Sequence, residues 1–196
     1  MAGLLIAFEG LDQSGKQTQA RLLADRLRED GHRPRIVTFP DDLTPIGREI
    51  RRALAGGREY GPDVMQLLYV ANRYERKTDL ERWLTAGEIV LCDRYAASSV
   101  AYGAAHGLDA DWLGDIQRFL PAAALTLLLD IAPETAAARK ATGRDRYERD
   151  LALLARVRES YHQQATAPGW RRLDGERPRE AVAVDVLSAV RALLPR

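Results

Sequence analysis

Short runs of consecutive apolar residues alternate along this chain with longer stretches whose apolar positions recur every three or four residues. Leu4–Phe8, Arg35–Phe39, Ile89–Asp93 and Leu125–Ile131 are of the first kind, and Trp170–Leu173 is a weaker fifth. Their apolar character shows no in–out alternation, which predicts parallel strands buried on both faces. Helices are expected over Lys16–Asp30, Pro45–Ala55, Asp63–Ala86, Ala110–Phe119, Pro133–Ala141, Asp150–Thr166 and Arg179–Leu194. Gly31, Gly56-Gly57 and Gly87 stand where such helices end on a left-handed residue. The pattern predicts an α/β fold of three layers, a five-stranded parallel sheet with helices on both faces, in a single domain covering residues 1–196. Ligands of such sheets bind beyond the carboxyl ends of the strands. Glu9 to Lys16, Phe39 to Asp42 and Asp93 to Tyr95 occupy those ends.

Charge narrows the partners. Twenty-nine basic residues against 28 acidic ones leave a net charge of +1, so no bulk field favours nucleic acid or a membrane surface. The single cysteine, Cys92, lies inside an apolar run and reads as a buried thiol. No disulfide can form within the chain, which suits a reducing compartment. No stretch approaches the apolar length of a membrane span, and the chain enters its first strand at once, without the pattern of a signal peptide. The expectation is a cytoplasmic protein.

Four constellations carry candidate chemistry. Gly10, Gly15 and Lys16 have the spacing of a Walker A phosphate loop, directly between a strand and a helix. Glycines there let backbone N–H groups turn toward phosphate oxygens, the helix start adds the positive end of its dipole, and the lysine reaches the β- and γ-phosphates. The residue after the lysine normally carries a Mg²⁺-binding hydroxyl, and here it is Gln17. Its amide oxygen is a longer, less preorganised ligand, and Thr18 is expected about 100° further round the helix. Asp93-Arg94-Tyr95 closes a buried strand. Its carboxylate suits Mg²⁺ and its arginine a second phosphate, or the aspartate simply caps a turn. Tyr69 and Arg73, four apart on one helix, share a face. They suit a nucleotide base, or are a packed tyrosine beside an exposed arginine. The basic segment from Arg139 to Arg149 is either a solvated face or a lid that closes arginines over transferring phosphates.

As an ordered set these pieces resemble the thymidylate kinase family, which moves a phosphoryl group from ATP to dTMP. The matching residues are Phe8-Glu9-Gly10-Leu11-Asp12, Gly15-Lys16, Thr18-Gln19, Phe39-Pro40, Thr44-Pro45-Ile46-Gly47, Ala71-Asn72-Arg73, Asp93-Arg94-Tyr95, Ser98-Ser99, Ala101-Tyr102 and Asp145-Arg146-Tyr147-Glu148. The resemblance implies a P-loop kinase with a lid at about residues 139–149. Gly10, Leu11, Asp12, Gln13, Ser14, Gly15, Lys16, Gln17 and Thr18 would form the ATP loop. Asp12 would also accept from the acceptor's 3′-hydroxyl. Phe39, Pro40, Ser98 and Ser99 would line the acceptor pocket. Tyr69, where the family usually has Phe, would stack on thymine, and Arg73 would hydrogen-bond that base. Arg94 would hold the acceptor phosphate and Tyr102 would crowd a ribose 2′-hydroxyl. Asp93 and Gln17 would hold Mg²⁺. A homodimer built on helices that include the one bearing Tyr69 is also implied.

The family draws its catalytic arginine from the phosphate loop or from the lid. Gln13 is uncharged, so the lid residues Arg139, Lys140, Arg144 and Arg146 are expected to supply that charge. Two further departures bear on the acceptor. Asp42 occupies the place of a phosphate-contacting arginine in the eukaryote-like pattern, and would repel the phosphate unless it turns to a cation. Gly103 stands where many bacterial members have Gln. The expected reaction is in-line transfer from ATP to dTMP. Its rivals are a related kinase with another acceptor and a nucleotide-binding protein that has lost turnover.

Overall fold

A computed structural model describes residues 3–139 and 150–194. Five strands, β1 (Leu4–Glu9), β2 (Pro34–Thr38), β3 (Ile89–Asp93), β4 (Leu125–Asp130) and β5 (Trp170–Asp174), form one sheet in the order β2-β3-β1-β4-β5. Every neighbouring pair is parallel. The three inner strands are almost wholly buried, whereas β2 and β5 at the edges expose several residues. That division explains why the inner strands read as continuous apolar runs and β5 reads weakly.

Nine helices surround the sheet among the described residues: α1 (Lys16–Glu29), α2 (Pro45–Leu54), α3 (Pro62–Glu75), α4 (Lys77–Thr85), α5 (Ala96–Ala105), α6 (Ala110–Asp115), α7 (Pro133–Arg139), α8 (Leu151–Gln164) and α9 (Arg179–Arg191). Alternate residues of each inner strand point to opposite layers. Ile6, Phe8, Leu91, Leu127 and Leu129 pack with Leu23 and Leu27 of α1 and Val182, Val186 and Val190 of α9. On the other face, Leu5, Ala7, Val90 and Cys92 meet Leu80 of α4, while Leu128 and Ile131 meet Ala101 of α5 and Leu153, Leu154, Val157 and Tyr161 of α8. Cys92 is fully buried and unpaired, as its apolar run predicts, and burial raises its thiol pKa.

Two expectations are corrected. The helix predicted over Asp63–Ala86 is two, broken at Arg76. The α3 half packs on α2 and α5, whereas the α4 half packs on β3, so two apolar surfaces in different directions need two axes. At the break, the Arg76 guanidinium reaches Asp41 at 2.6 Å and Asp79 at 3.2 Å. The second correction is α5, absent from the sequence-based assignment. Its segment, AASSVAYGAA, is small and apolar on nearly every side and carries no polar face to reveal its period. Gly31, Gly56 and Gly87 all take positive φ at helix ends, as expected.

Candidate functional site

Both loops that matter leave adjacent inner strands. The turn from β1 to α1 places Gly10 at φ 136°, Gln13 at 63° and Gly15 at 95°. A Cβ on Gly10 would fall 2.4 Å from the Leu129 carbonyl oxygen, so only glycine lets the loop pass β4 at that point. Lys16 folds back along the loop and donates from Nζ to the Gly10 oxygen at 3.1 Å and the Leu11 oxygen at 2.6 Å, with Ser14 Oγ at 3.4 Å. Burial, reinforced by the Arg94 charge, lowers its pKa to about 8.

A cavity beside the loop is lined by Asp12, Gln13, Gly15, Lys16, Gln17, Thr18, Thr38, Phe39, Asp93 and Arg94. Gln17 and Thr18 therefore both line it, and the expectation that Thr18 turns elsewhere is not met. Both residues are exposed in the first turn of α1. Asp93, at the end of β3, is 8% exposed and contributes its field to Lys16. Among the described residues no three His, Cys, Asp or Glu side chains cluster to bind a metal. Mg²⁺ characteristically takes one or two carboxylates, with water and phosphate oxygens completing its shell. Asp93 with the oxygen donors of Gln17 and Thr18 fits that demand.

A second cavity is lined by Asp12, Phe39, Pro40, Leu54, Gln66, Tyr69, Arg73, Arg94, Ser98, Ser99 and Tyr102. The two cavities share Asp12, Phe39 and Arg94. Arg94 sits at φ 66°, a left-handed conformation uncommon outside glycine, which turns its guanidinium back over the β1–α1 loop. Its Nη2 donates to Asp12 Oδ1 at 2.7 Å and to Tyr102 Oη at 3.3 Å, and its Nη1 to Ser98 Oγ at 3.2 Å. Burial alone would depress this arginine's pKa; the adjacent Asp12 carboxylate offsets that and holds it well above the ordinary value. Its charge stands over the Tyr102 ring, 5.3 Å from the centroid.

Arg73 is 2% exposed and hydrogen-bonds only neutral groups, Ser99 Oγ at 2.8 Å and Gln117 Oε1 at 3.1 Å, both through Nη1. Its Nε has no partner. Desolvation lowers its pKa. A buried cation paired only with neutral groups is unfavourable unless a further acceptor reaches it, and Arg73 is part of the cavity lining. Tyr69 stands half-buried on the same wall.

Several functional supports had no sequence-based role. Glu9 is fully buried and accepts from the Tyr95 N–H at 2.8 Å, the Ser98 N–H at 3.2 Å, Ser98 Oγ at 2.6 Å and Tyr161 Oη at 2.9 Å. This carboxylate, carried on β1, serves the first turn of α5, whose preceding residue provides no side-chain cap. Gln117 spends its Nε2 on the Leu113 and Ala96 carbonyls, which fixes its Oε1 toward Arg73. Its only trace in the sequence was a polar residue in the helix expected over Ala110–Phe119, of which the structure forms only Ala110–Asp115 as α6.

Asp42 does turn to a cation: its carboxylate pairs with Arg51 on α2. Gly103 has a packing reason, because a Cβ there would fall 2.3 Å from Leu113 Cδ1. Arg139 ends α7 and donates to the Gln13 oxygen at 3.1 Å and the Gly175 oxygen at 3.0 Å, bracing the phosphate loop from outside. Lys140, Arg144 and Arg146 lie outside the described residues.

The thymidylate kinase family model matches residues 8–186. A thymidylate kinase of Thermomicrobium roseum is 40% identical over 202 aligned positions, covering 97% of this chain and 96% of its own. The human thymidylate kinase is 35% identical, with 94% and 88% covered. The structure of a Candida albicans thymidylate kinase superposes with a TM-score of 0.83 at 29% identity, over 97% of this chain and 92% of that one.

Proposed function

The chain belongs to the thymidylate kinase family and is a nucleoside monophosphate kinase that transfers the γ-phosphoryl group of ATP to dTMP, and we propose how its residues divide that work. The observation that carries the reading is the junction of the two cavities. The same Arg94–Asp12 pair lines the phosphate-loop cavity and the cavity of Tyr69 and Arg73. A phosphoryl group leaving the loop side meets an acceptor on the other side at that pair.

Lys16 neutralises the donor phosphates, and the loop N–H groups orient them. Arg94 holds the acceptor phosphate, with Asp12 fixing its guanidinium and facing the sugar. Tyr69 stacks on the base, Arg73 donates to it, and Phe39, Pro40, Ser98, Ser99 and Tyr102 close the pocket. The acceptor phosphate is already an anionic nucleophile, so no general base is needed. Catalysis rests on in-line positioning and on charges preset for the transition state. Asp93, with Gln17 and the adjacent Thr18, would hold Mg²⁺, which when bound supplies charge neutralisation at the β- and γ-phosphates. Gln13 brings no charge, so the positive charge over the transferring group comes from the lid, from Arg144 or Arg146, with Arg139 anchoring the loop beneath.

The reading extends to assembly and location. Val64 and Leu67 leave apolar side chains exposed on α3, which supports a homodimer through that helix. No helix among the described residues is long and apolar enough to cross a membrane, and the unpaired Cys92 suits a cytoplasmic enzyme. The test is ADP release in the presence of Mg²⁺ with dTMP, dUMP, UMP, CMP and deoxynucleosides. Turnover is expected to be strongest with dTMP, and failure of all of them to stimulate ATP consumption overturns the reading.

A further inference from the structure

Arg94 stands at the junction of the two cavities, and the two ends of its guanidinium are held differently. Nη2 faces Asp12 Oδ1 at 2.7 Å and Tyr102 Oη at 3.3 Å. Asp12 lines both cavities with a side chain 35% exposed, so this end borders space that a ligand can fill. Nη1 faces Ser98 Oγ at 3.2 Å and Tyr161 Oη at 3.4 Å. Those two residues are 6% and 1% exposed, and water does not compete for their contacts. Tyr161 comes from α8 and lines neither cavity.

Glu9 stands behind both hydroxyls. Its Oε2 accepts from Ser98 Oγ at 2.6 Å and from Tyr161 Oη at 2.9 Å, while its Oε1 accepts from the Tyr95 and Ser98 N–H groups. With its proton directed to Glu9, each hydroxyl presents lone pairs to Arg94. The two hydroxyl oxygens are also 2.9 Å apart, so β1, α5 and α8 contribute to one compact unit. A hydroxyl that donates to a carboxylate is a better acceptor for a guanidinium, because each bond polarises the next. Arginine loses much rotamer freedom when it is fixed, and a guanidinium held before the acceptor arrives incurs that loss in advance. We propose that Tyr161 is a positioning residue for the acceptor phosphate: with Ser98 it bridges Glu9 to Arg94 and fixes the guanidinium at Nη1, leaving the Nη2 end to meet the phosphate beside Asp12.

This role rests on reading Arg94 as the residue that holds the acceptor phosphate. Tyr161→Phe removes the hydroxyl and keeps the ring. Dissociation constants for dTMP and for deoxythymidine, which lacks the phosphate, are measured calorimetrically on wild type and variant. The preference for dTMP over deoxythymidine is expected to fall about three- to tenfold in the variant, the worth of one hydrogen bond to a charged group. Deoxythymidine itself is expected to bind both proteins equally. A purely structural tyrosine would weaken the two ligands alike and leave the preference intact, and that result overturns the assignment. If Tyr161→Phe melts below the assay temperature, Tyr161→Met, which also lacks the hydroxyl, is read in the same way in the cold. A wild type that binds dTMP no more tightly than deoxythymidine refutes the reading of Arg94, whereas a wild-type preference that survives the substitution refutes only the role of Tyr161.

Discussion

Single side chains in this site are tuned by what buries them. Lys16 is the clearest case: desolvation first, and the Arg94 charge second, bring its pKa down to about 8. Its cationic form, the one proposed to neutralise the donor phosphates, prevails below that value and is lost above it. A fall in kcat/KM for ATP as pH rises through about 8 is therefore expected in a steady-state pH profile, and a flat profile to pH 10 would contradict it. Stability has the opposite sign. An unfolded lysine holds its proton to about 10.5, so the native state gains between the two values as pH rises. Arg73→Gln removes a buried charged donor from the base wall. It is expected to lower kcat/KM for dTMP by about ten- to a hundredfold, mostly through KM, and comparing dTMP with dUMP and dCMP shows whether selectivity falls with it. Lys16 and Arg73 stood out because phosphate loops and helix faces have fixed spacings, and Asp93 because it ends an apolar strand. Glu9 and Gln117 did not, since the Tyr95 and Ser98 groups that Glu9 holds and the Arg73 that Gln117 meets lie in other elements, which no local pattern announces.

At the level of elements, the loop after β2 shows how a pocket wall is held. Asn72 on α3 is fully buried; it accepts from the Asp41 N–H at 2.8 Å and donates to Thr44 Oγ1 at 2.8 Å and Glu75 Oε2 at 3.1 Å. Thr44 in turn caps α2 by accepting from the Gly47 N–H at 3.1 Å. One side chain therefore fixes both the segment that carries Phe39 and Pro40 and the start of α2. Asn72→Ala is expected to destabilise the fold by about 1–3 kcal/mol and to raise KM for dTMP, read by thermal melting and by kinetics on the same sample. Unchanged melting with unchanged KM would remove Asn72 from this role. The sequence placed Asn72 beside Arg73, but nothing in it linked that asparagine to a loop 31 residues away. The α3–α4 break and the missing α5 have a common reason. Periodicity reports one exposed face, and it fails where a segment turns between two buried surfaces or is buried all round.

For the molecule as a whole, the strand order puts β1 between β3 and β4, and this brings the Walker loop beside Asp93-Arg94. Exposed Val64 and Leu67 leave α3 with an apolar outer surface behind the base pocket. Leu67→Asp is expected to shift the proposed dimer to monomer in sedimentation velocity. A wild type that sediments as a monomer would overturn the dimer directly.

The sequence by itself determined the layered α/β fold, the phosphate loop and the identity of most pocket residues. Strand runs, loop glycines and helix-spaced pairs are local, and local patterns survive in one dimension. Only the tertiary structure decided that Asp12 and Arg94 join two cavities. It also decided that Asp42 is neutralised by Arg51, that Thr18 keeps company with Gln17, and that Glu9 caps a helix beginning 87 residues later. Those facts depend on which strands lie side by side and how closely helices approach, and both are set by packing over the whole core.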